Sequence, residues 1–262
     1  MMLRALDISV AFGKRVVLKK ASLAVSSGEV VGVIGANGAG KSTVLRVLAG
    51  VQVADAGRVA IGRNLLTGMD AQARAGHVGY LPQRPLVDWP LSVAEVAALG
   101  RLPHLPWWQG AEAGMGDAPV RQALAACDLE DMSDRRVDTL SGGEFARAML
   151  ARLLAGQHDV LIADEPIADL DPPHRVDVMR ILAGEAARGA GVVVALHDLS
   201  LADRFCDRVI VLSGGHVFAQ GAPRSILDAG VLTRTFGAPC TVARSDGHLA
   251  VMFDGSPAHH SI

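Results

Sequence analysis

One stretch of the chain narrows its fold more than any other: GANGAGKST, Gly35 to Thr43. Gly35, Ala36, Asn37, Gly38, Ala39, Gly40, Lys41 and Ser42 fit the pattern GxxxxGK[ST] at every fixed position. An apolar run, VVGVI, precedes it, and STVLRVLAG, apolar on one face and closing on Gly50, follows it. Strand, glycine-rich turn and helix is the context in which this pattern cradles phosphate. The glycines let successive backbone amides point at phosphate oxygens, and the helix N-terminus reinforces them. Lys41 is placed to reach the β and γ phosphates, and the Ser42 hydroxyl to hold Mg²⁺.

The rest of the chain supports a parallel sheet around that loop. LRALDISVAFG and VVLKKASLAV alternate with period two, so the first thirty residues read as strands, with a turn at Ser26, Ser27 and Gly28. AGRVAIG and HVGYLPQ read as further short strands. From residue 84 prolines crowd together with all three tryptophans, and the helix-like VRQALAACDL comes next. Two more apolar strands, residues 159–163 and GVVVAL at 191–196, lead to a hairpin pattern, DRVIVL, SGG, HVFAQG. Apolar strands alternating with helices predict an α/β fold, a P-loop NTPase core with a mostly parallel sheet. An N-terminal antiparallel β subdomain and an inserted helical subdomain complete it. The expected division is 1–83 and 157–240 for the catalytic core, 84–156 for the helical subdomain and 241–262 for a C-terminal tail ending in a frayed SPAHHSI.

Composition sets limits. Net charge is −2, so no strong field for nucleic acid or an anionic membrane is expected. Cys127, Cys206 and Cys240 lie far apart with no CxxC spacing, which reads as reduced cytosolic thiols. No signal-peptide pattern opens the chain, and no run of about 18 apolar residues occurs to span a bilayer.

Two further stretches carry chemistry. VLIADE is an apolar strand ending in Asp164 and Glu165. At the carboxyl end of a parallel strand, both face the nucleotide crevice. Asp164 is expected to bind Mg²⁺ through water, and Glu165 to orient and deprotonate the attacking water. The plainer alternative is a helix cap followed by a solvated acid. LSGGEFARAMLARLLAG, beginning at Leu140, sets Ser141 and Glu144 in a capping box, S-x-x-E. A capping box needs no glycine pair, and Gly142 and Gly143 leave the first-turn amides open to an anion. Capping alone, or a second grip on the same nucleotide, both remain open on this spacing.

LSGGE resembles the LSGGQ signature of ATP-binding cassette (ABC) ATPases, and the other marks of that family stand in order. Phe12 matches the aromatic that stacks on adenine, and GANGAGKS, with Thr43 beside it, the phosphate loop. Gln83 in YLPQ matches the Q-loop, which touches Mg²⁺ and γ-phosphate. Asp164 and Glu165 match the Walker B pair, Ala168, Asp169, Leu170 and Asp171 the D-loop, and His197 the switch histidine. Singly, Phe12 and His197 are unremarkable core or surface residues, and their order within the pattern reverses that. The resemblance spans roughly residues 1–240. It implies ATP and Mg²⁺ as ligands and a homodimer in which Ser141, Gly142, Gly143 and Glu144 of one copy face the ATP of the other. Departures are Glu144 for the usual glutamine, and Ile167 and Ala168 where Thr and Ser are frequent.

A narrower likeness lies in VAALGRLPH, residues 96–104. It resembles the ALGRxPH segment of ATPases that drive uptake of iron-siderophores, haem and vitamin B12. That implies a peripheral subunit on the cytoplasmic face of the inner membrane, without membrane insertion. It would work with separate integral membrane permease subunits and a separate substrate-binding protein. A zinc or manganese importer ATPase and a permease-free soluble ABC ATPase are the alternatives. The surface after Gln83, with Trp89, Trp107, Trp108, Arg101 and His104, is expected to face the permease.

Overall fold

The computed structural model describes residues 2–254 except 86, 88, 107, 169, 246 and 247. Expectations on Trp107, on Asp169 and on the SPAHHSI end lie outside the described residues.

The alternating N-terminal segments form β1 (Met2–Phe12) and β2 (Arg15–Ser26), paired antiparallel. After the turn comes β3 (Val30–Gly35), buried along its whole length, and then α1 (Lys41–Leu48). β4 (Ala56–Ile61) and β5 (Asn64–Leu65) extend the antiparallel sheet in the order β2-β1-β4-β5. α2 (Ala71–His77) runs directly into β6 (Val78–Leu81). The next described helices are α3 (Val93–Ala98), α4 (Ala118–Ala126) and α5 (Gly142–Ala155). β7 (Val160–Asp164), α6 (Pro172–Ala187), β8 (Gly191–Ala195) and α7 (Leu199–Phe205) return to the sheet. β9 (Arg208–Ser213) and β10 (His216–Gly221) form the expected hairpin. The short α8 (Pro223–Ile226) and α9 (Ala229–Phe236) follow.

The central sheet runs β10-β9-β3-β8-β7-β6, parallel throughout except for β10. Successive residues of each inner strand enter opposite apolar layers. Val31, Val33, Val160, Ile162, Val193 and Ala195 pack with α1 and the antiparallel sheet. Val30, Ile34, Leu161, Ala163, Val192 and Val194 pack with residues of α3 to α7. Both faces are covered, which is why these strands are continuously apolar instead of alternating. The topology also aligns the chemistry. The phosphate loop follows β3, Asp164 ends β7, His197 lies just past β8 and Gln83 just past β6. All four leave the carboxyl ends of parallel strands, where open α/β sheets bind ligands.

The segment expected to be a plain tail carries structure. β11 (Cys240–Ser245) and β12 (His248–Phe253) form an antiparallel hairpin. It is anchored by buried Leu249, by Phe253 edge-on to Phe236 at 5.4 Å, and by Arg244 Nη1 donating to both Asp203 oxygens at 2.7 and 2.6 Å. Leu249 is the one buried apolar position among the described residues of these two strands, with Val242 and Val251 only partly covered, so the period-two pattern is faint. All three cysteines are free, and burial pushes the Cys127 and Cys206 thiols up to about 12.

Candidate active site

Past β3 the backbone curls through left-handed glycines, with φ +78° at Gly38 and +102° at Gly40. A Cβ on Gly40 would sit 2.8 Å from Leu18 Cδ2 and 3.2 Å from the Val17 carbonyl, so only glycine fits there. Lys41, 5% exposed, donates from Nζ to the Gly35 carbonyl at 3.0 Å. Its Nζ also lies 3.6 Å from Glu165 Oε1. Burial pulls the Lys41 ammonium below the ordinary lysine range, and the Glu165 carboxylate opposes that shift.

Glu165 has φ +53°, a left-handed conformation that costs a non-glycine residue roughly 1–2 kcal/mol. The turn aims its carboxylate back over the loop. Gln83 Nε2 donates to Oε2 at 2.6 Å, and His197 Nε2 lies 2.6 Å from Oε1. A carboxylate only accepts, so His197 Nε2 carries the proton in this contact. Lys41, Gln83 and His197, from three different strand ends, thus converge on one carboxylate. A cavity of about 540 Å³ opens beside them, lined by Phe12, Arg15, Val17, Asn37, Gly38, Gly40, Lys41, Ser42, Thr43, Gln83, Glu165 and His197. Phe12 stands more than half exposed at its rim. Arg15 was not singled out in the sequence, yet the tight turn that pairs Phe12 with Arg15 was the available signal.

Asp164 is fully buried, and neither carboxylate oxygen has a hydrogen-bond partner. Burial raises its pKa. The Ser42 hydroxyl, Arg46 and Lys41 stand close enough to oppose that shift without making a hydrogen bond of proper geometry. An orphaned carboxylate beside a loop serine is a donor set that suits a divalent, oxygen-preferring cation. The same observation predicts a trade-off. Asp164→Asn should raise the melting temperature of the metal-free chain, because it keeps the side chain's shape and removes the charge that burial penalises. For a chain of this size, about 1 kcal/mol is roughly 2–4 °C. With a raised folded-state pKa, the burden is present above that pKa and disappears below the ordinary carboxylate range, where both states are protonated. The gain should therefore be larger at neutral pH than in mild acid. Calorimetry in excess chelator checks this, and a lower melting temperature at neutral pH would refute it.

The second glycine-led helix start lies outside that cavity. Ser141 caps α5 by accepting from the Glu144 amide at 3.3 Å, and Glu144 Oε2 accepts from the Ser141 amide at 2.7 Å. Both halves of the capping box are therefore present. Arg135 Nη1 donates to Glu144 Oε1 at 3.2 Å. The Ser141 amide is the main cause holding the Glu144 carboxyl below the ordinary range. Ser141 and Gly142 are exposed. A Cβ on Gly142 would meet nothing within 4 Å, one on Gly143 only Leu170 Cδ2 at 3.7 Å, and neither residue has a positive φ. Nothing within the described chain requires glycine at either position. Gly142 instead borders a second cleft of about 340 Å³, shared with Gln83, Glu165, Ala168 and Leu170. Asp171 is an exposed residue preceding α6, and its side chain caps no amide. The structure thus gathers the phosphate-loop, Gln83, Glu165 and His197 set around one cavity, brings Gly142 to a neighbouring cleft that shares Gln83 and Glu165, and leaves Asp171 outside both.

Arg101 and His104 both bond the end of α5: the Arg101 side chain is only 14% exposed, whereas His104 keeps its place on the surface. Unpaired carbonyls of a helix C-terminus outcompete solvent for these donors. Trp89, Leu102 and Trp108 do face outward, at 73%, 43% and 69% exposure.

Residues 18–168 match the family described as ABC transporter. The hemin import ATP-binding protein HmuV of Nocardia farcinica (strain IFM 10152) is 42% identical over 228 residues, 87% of this chain and 78% of that protein. The protein of the same description from Bordetella avium (strain 197N) is 38% identical over 267 residues, 96% of this chain and 99% of the other. Among solved structures, a dimeric bacterial ABC transporter cassette superposes with a TM-score of 0.75 at 26% identity, over 85% of this chain and 99% of that one.

Proposed function

This chain belongs to the ABC transporter family, and from that premise we propose that it is the ATPase subunit powering import of a metal chelate, with haem as the substrate. As a member of the family it binds ATP and couples hydrolysis to transport. The observation that carries the reading is the convergence of Lys41, Gln83 and His197 on Glu165 at the mouth of the phosphate loop. The substrate rests on the relatives described as hemin import proteins, together with the ALGRLPH segment.

In this reading the loop amides and Lys41 hold the β and γ phosphates, and Phe12 stacks on the adenine. Glu165 accepts the proton of the attacking water once Gln83 and His197, which hold its two oxygens in the ligand-free chain, turn to the γ-phosphate end. His197, once the γ-phosphate is in place, stabilises the charge that develops there. Asp164, Ser42 and Gln83 would hold Mg²⁺, which neutralises phosphate charge when bound. Two copies close on two ATPs, with Ser141 to Glu144 and Asp171 of each copy meeting the nucleotide of the other. Residues 84–156 act as the helical subdomain that follows a permease, and Trp89, Leu102 and Trp108 supply exposed apolar surface for docking. No described helix is long and apolar enough to cross a membrane. We place the subunit peripherally, on the cytoplasmic face, with permease and substrate-binding protein as separate chains.

Copurification from native membranes, then reconstitution in vesicles, tests the reading. ATP-dependent haem uptake is the expected result. Uptake of cobalamin or an iron-siderophore instead would move the substrate, and the absence of any polytopic partner would sink the transporter assignment.

A further inference from the structure

The segment ALGRLPH forms a 3-10 helix, Leu99–His104, against the last turn of α5. Gly100, Arg101 and His104 all meet that one helix end. A Cβ on Gly100 would lie 2.1 Å from the Arg152 carbonyl, so only glycine permits the approach. Arg101 Nη1 donates to the Ala155 carbonyl at 3.1 Å, while its Nε is held by Asp117 at 3.3 Å. His104 Nε2 donates to the Gly156 carbonyl at 2.7 Å. The last carbonyls of a helix have no partner within it, and a cation there also complements the helix dipole. The segment is held from its other side too. Gln72 of α2 donates from Nε2 to the Pro103 and Leu105 carbonyls at 3.2 and 3.1 Å. α2 continues into β6, which stops just short of Gln83. Leu102, between the two gripping side chains, is one of the exposed apolar residues.

α5 carries Gly142 and Gly143 at its opposite end. Its 14 residues span about 21 Å, with no proline to bend it. We propose that Arg101 and His104 are positioning residues that grip α5 by its C-terminal carbonyls, so that displacement of residues 99–104 moves the glycine pair at its N-terminus. The proposal rests on the reading that this pair meets the partner copy's ATP. An ordinary helix cap stabilises a helix locally. Here the donors sit on a segment that is also tied to α2 and reaches the surface at Leu102, so the helix end follows that segment.

The test uses the full chain with Glu165→Gln as parent. Arg101→Ala with His104→Ala should weaken ATP-dependent dimerisation by about tenfold or more, within the usual range of coupling between sites. ATP affinity of the monomer should stay within about twofold, because no residue of the phosphate-loop cavity is touched. Arg101→Lys with His104→Gln, which keep a donor at each place, should restore most of the dimerisation. Unchanged dimerisation in the double alanine variant overturns the proposal. So does a parallel loss of monomer ATP affinity and thermal stability in the double alanine variant, since that is the signature of a merely structural cap. A parent that never dimerises with ATP overturns the reading of the glycine pair as well, and so is distinguishable from both.

Discussion

Glu165→Gln is expected to keep ATP binding and to lose turnover by about 10²–10⁴, the usual contribution of a positioned general base. Gln has the shape of Glu but cannot take the proton of water. The substitution also rearranges the resting site in a defined way. His197 Nε2 can still donate to the remaining carbonyl oxygen, and Gln83, now facing an amide NH2, must flip its own amide so that Oε1 accepts where Nε2 donated. Lys41 loses its closest anionic neighbour and keeps the Gly35 carbonyl and the nearby Asp164. With phosphate contacts intact and hydrolysis blocked, two copies should accumulate closed around ATP. Phosphate release and sedimentation with ATP measure both arms. Near-normal phosphate release would remove Glu165 from its role.

Gly142→Asp should separate monomer chemistry from dimer chemistry. In the single chain the change is benign, because the new Cβ finds open space and the backbone is not left-handed. A carboxylate in the first turn of α5 is even favoured by the helix dipole, by about 0.3–1 kcal/mol. Monomer stability should hold or rise slightly, and monomer ATP affinity should not change. Closure over the partner's ATP should fail, since placing a carboxylate against phosphate costs several kcal/mol, on the order of 10²–10³ in association. Were capping the whole role of this region, ATP-driven dimerisation on a Glu165→Gln background would survive the substitution. The opposed signs, stability held and closure lost, are what tell the two apart.

The parts of the fold that were legible in sequence are those with one dominant signal. GANGAGKST between an apolar strand and a helix placed β3, α1 and the loop, and VLIADE placed β7 with its two acids. The capping box at Ser141 and Glu144 formed as spaced. What escaped notice was set by contacts remote in sequence. The β11–β12 hairpin depends on Asp203, 41 residues before Arg244. Arg101 and His104 read as polar surface residues because the carbonyls they bind, 54 and 52 residues away, have no side-chain signature at all. Tyr80 carried no signal either, yet its buried hydroxyl, without a hydrogen-bond partner, stands near Arg46 and Asp164. A backbone acceptor is identical at every residue, so periodicity and motif spacing are blind to which one a side chain will find.

The knot around Glu165 bears on how the site tells nucleotides apart. A ligand shifts a protein's state only as far as its interactions with the two states differ. In the resting chain Gln83 and His197 are occupied with Glu165, and Lys41 with Gly35 and Glu165. On the proposed ATP-site reading, a nucleoside diphosphate would satisfy the loop amides and Lys41 while offering nothing at the position of Gln83 and His197. A chain one phosphate longer would bring acceptor oxygens to that end of the cavity and make release of those two side chains favourable. The four residues would then act as a length gauge: diphosphate held without disturbing them, triphosphate registered by the contacts it displaces.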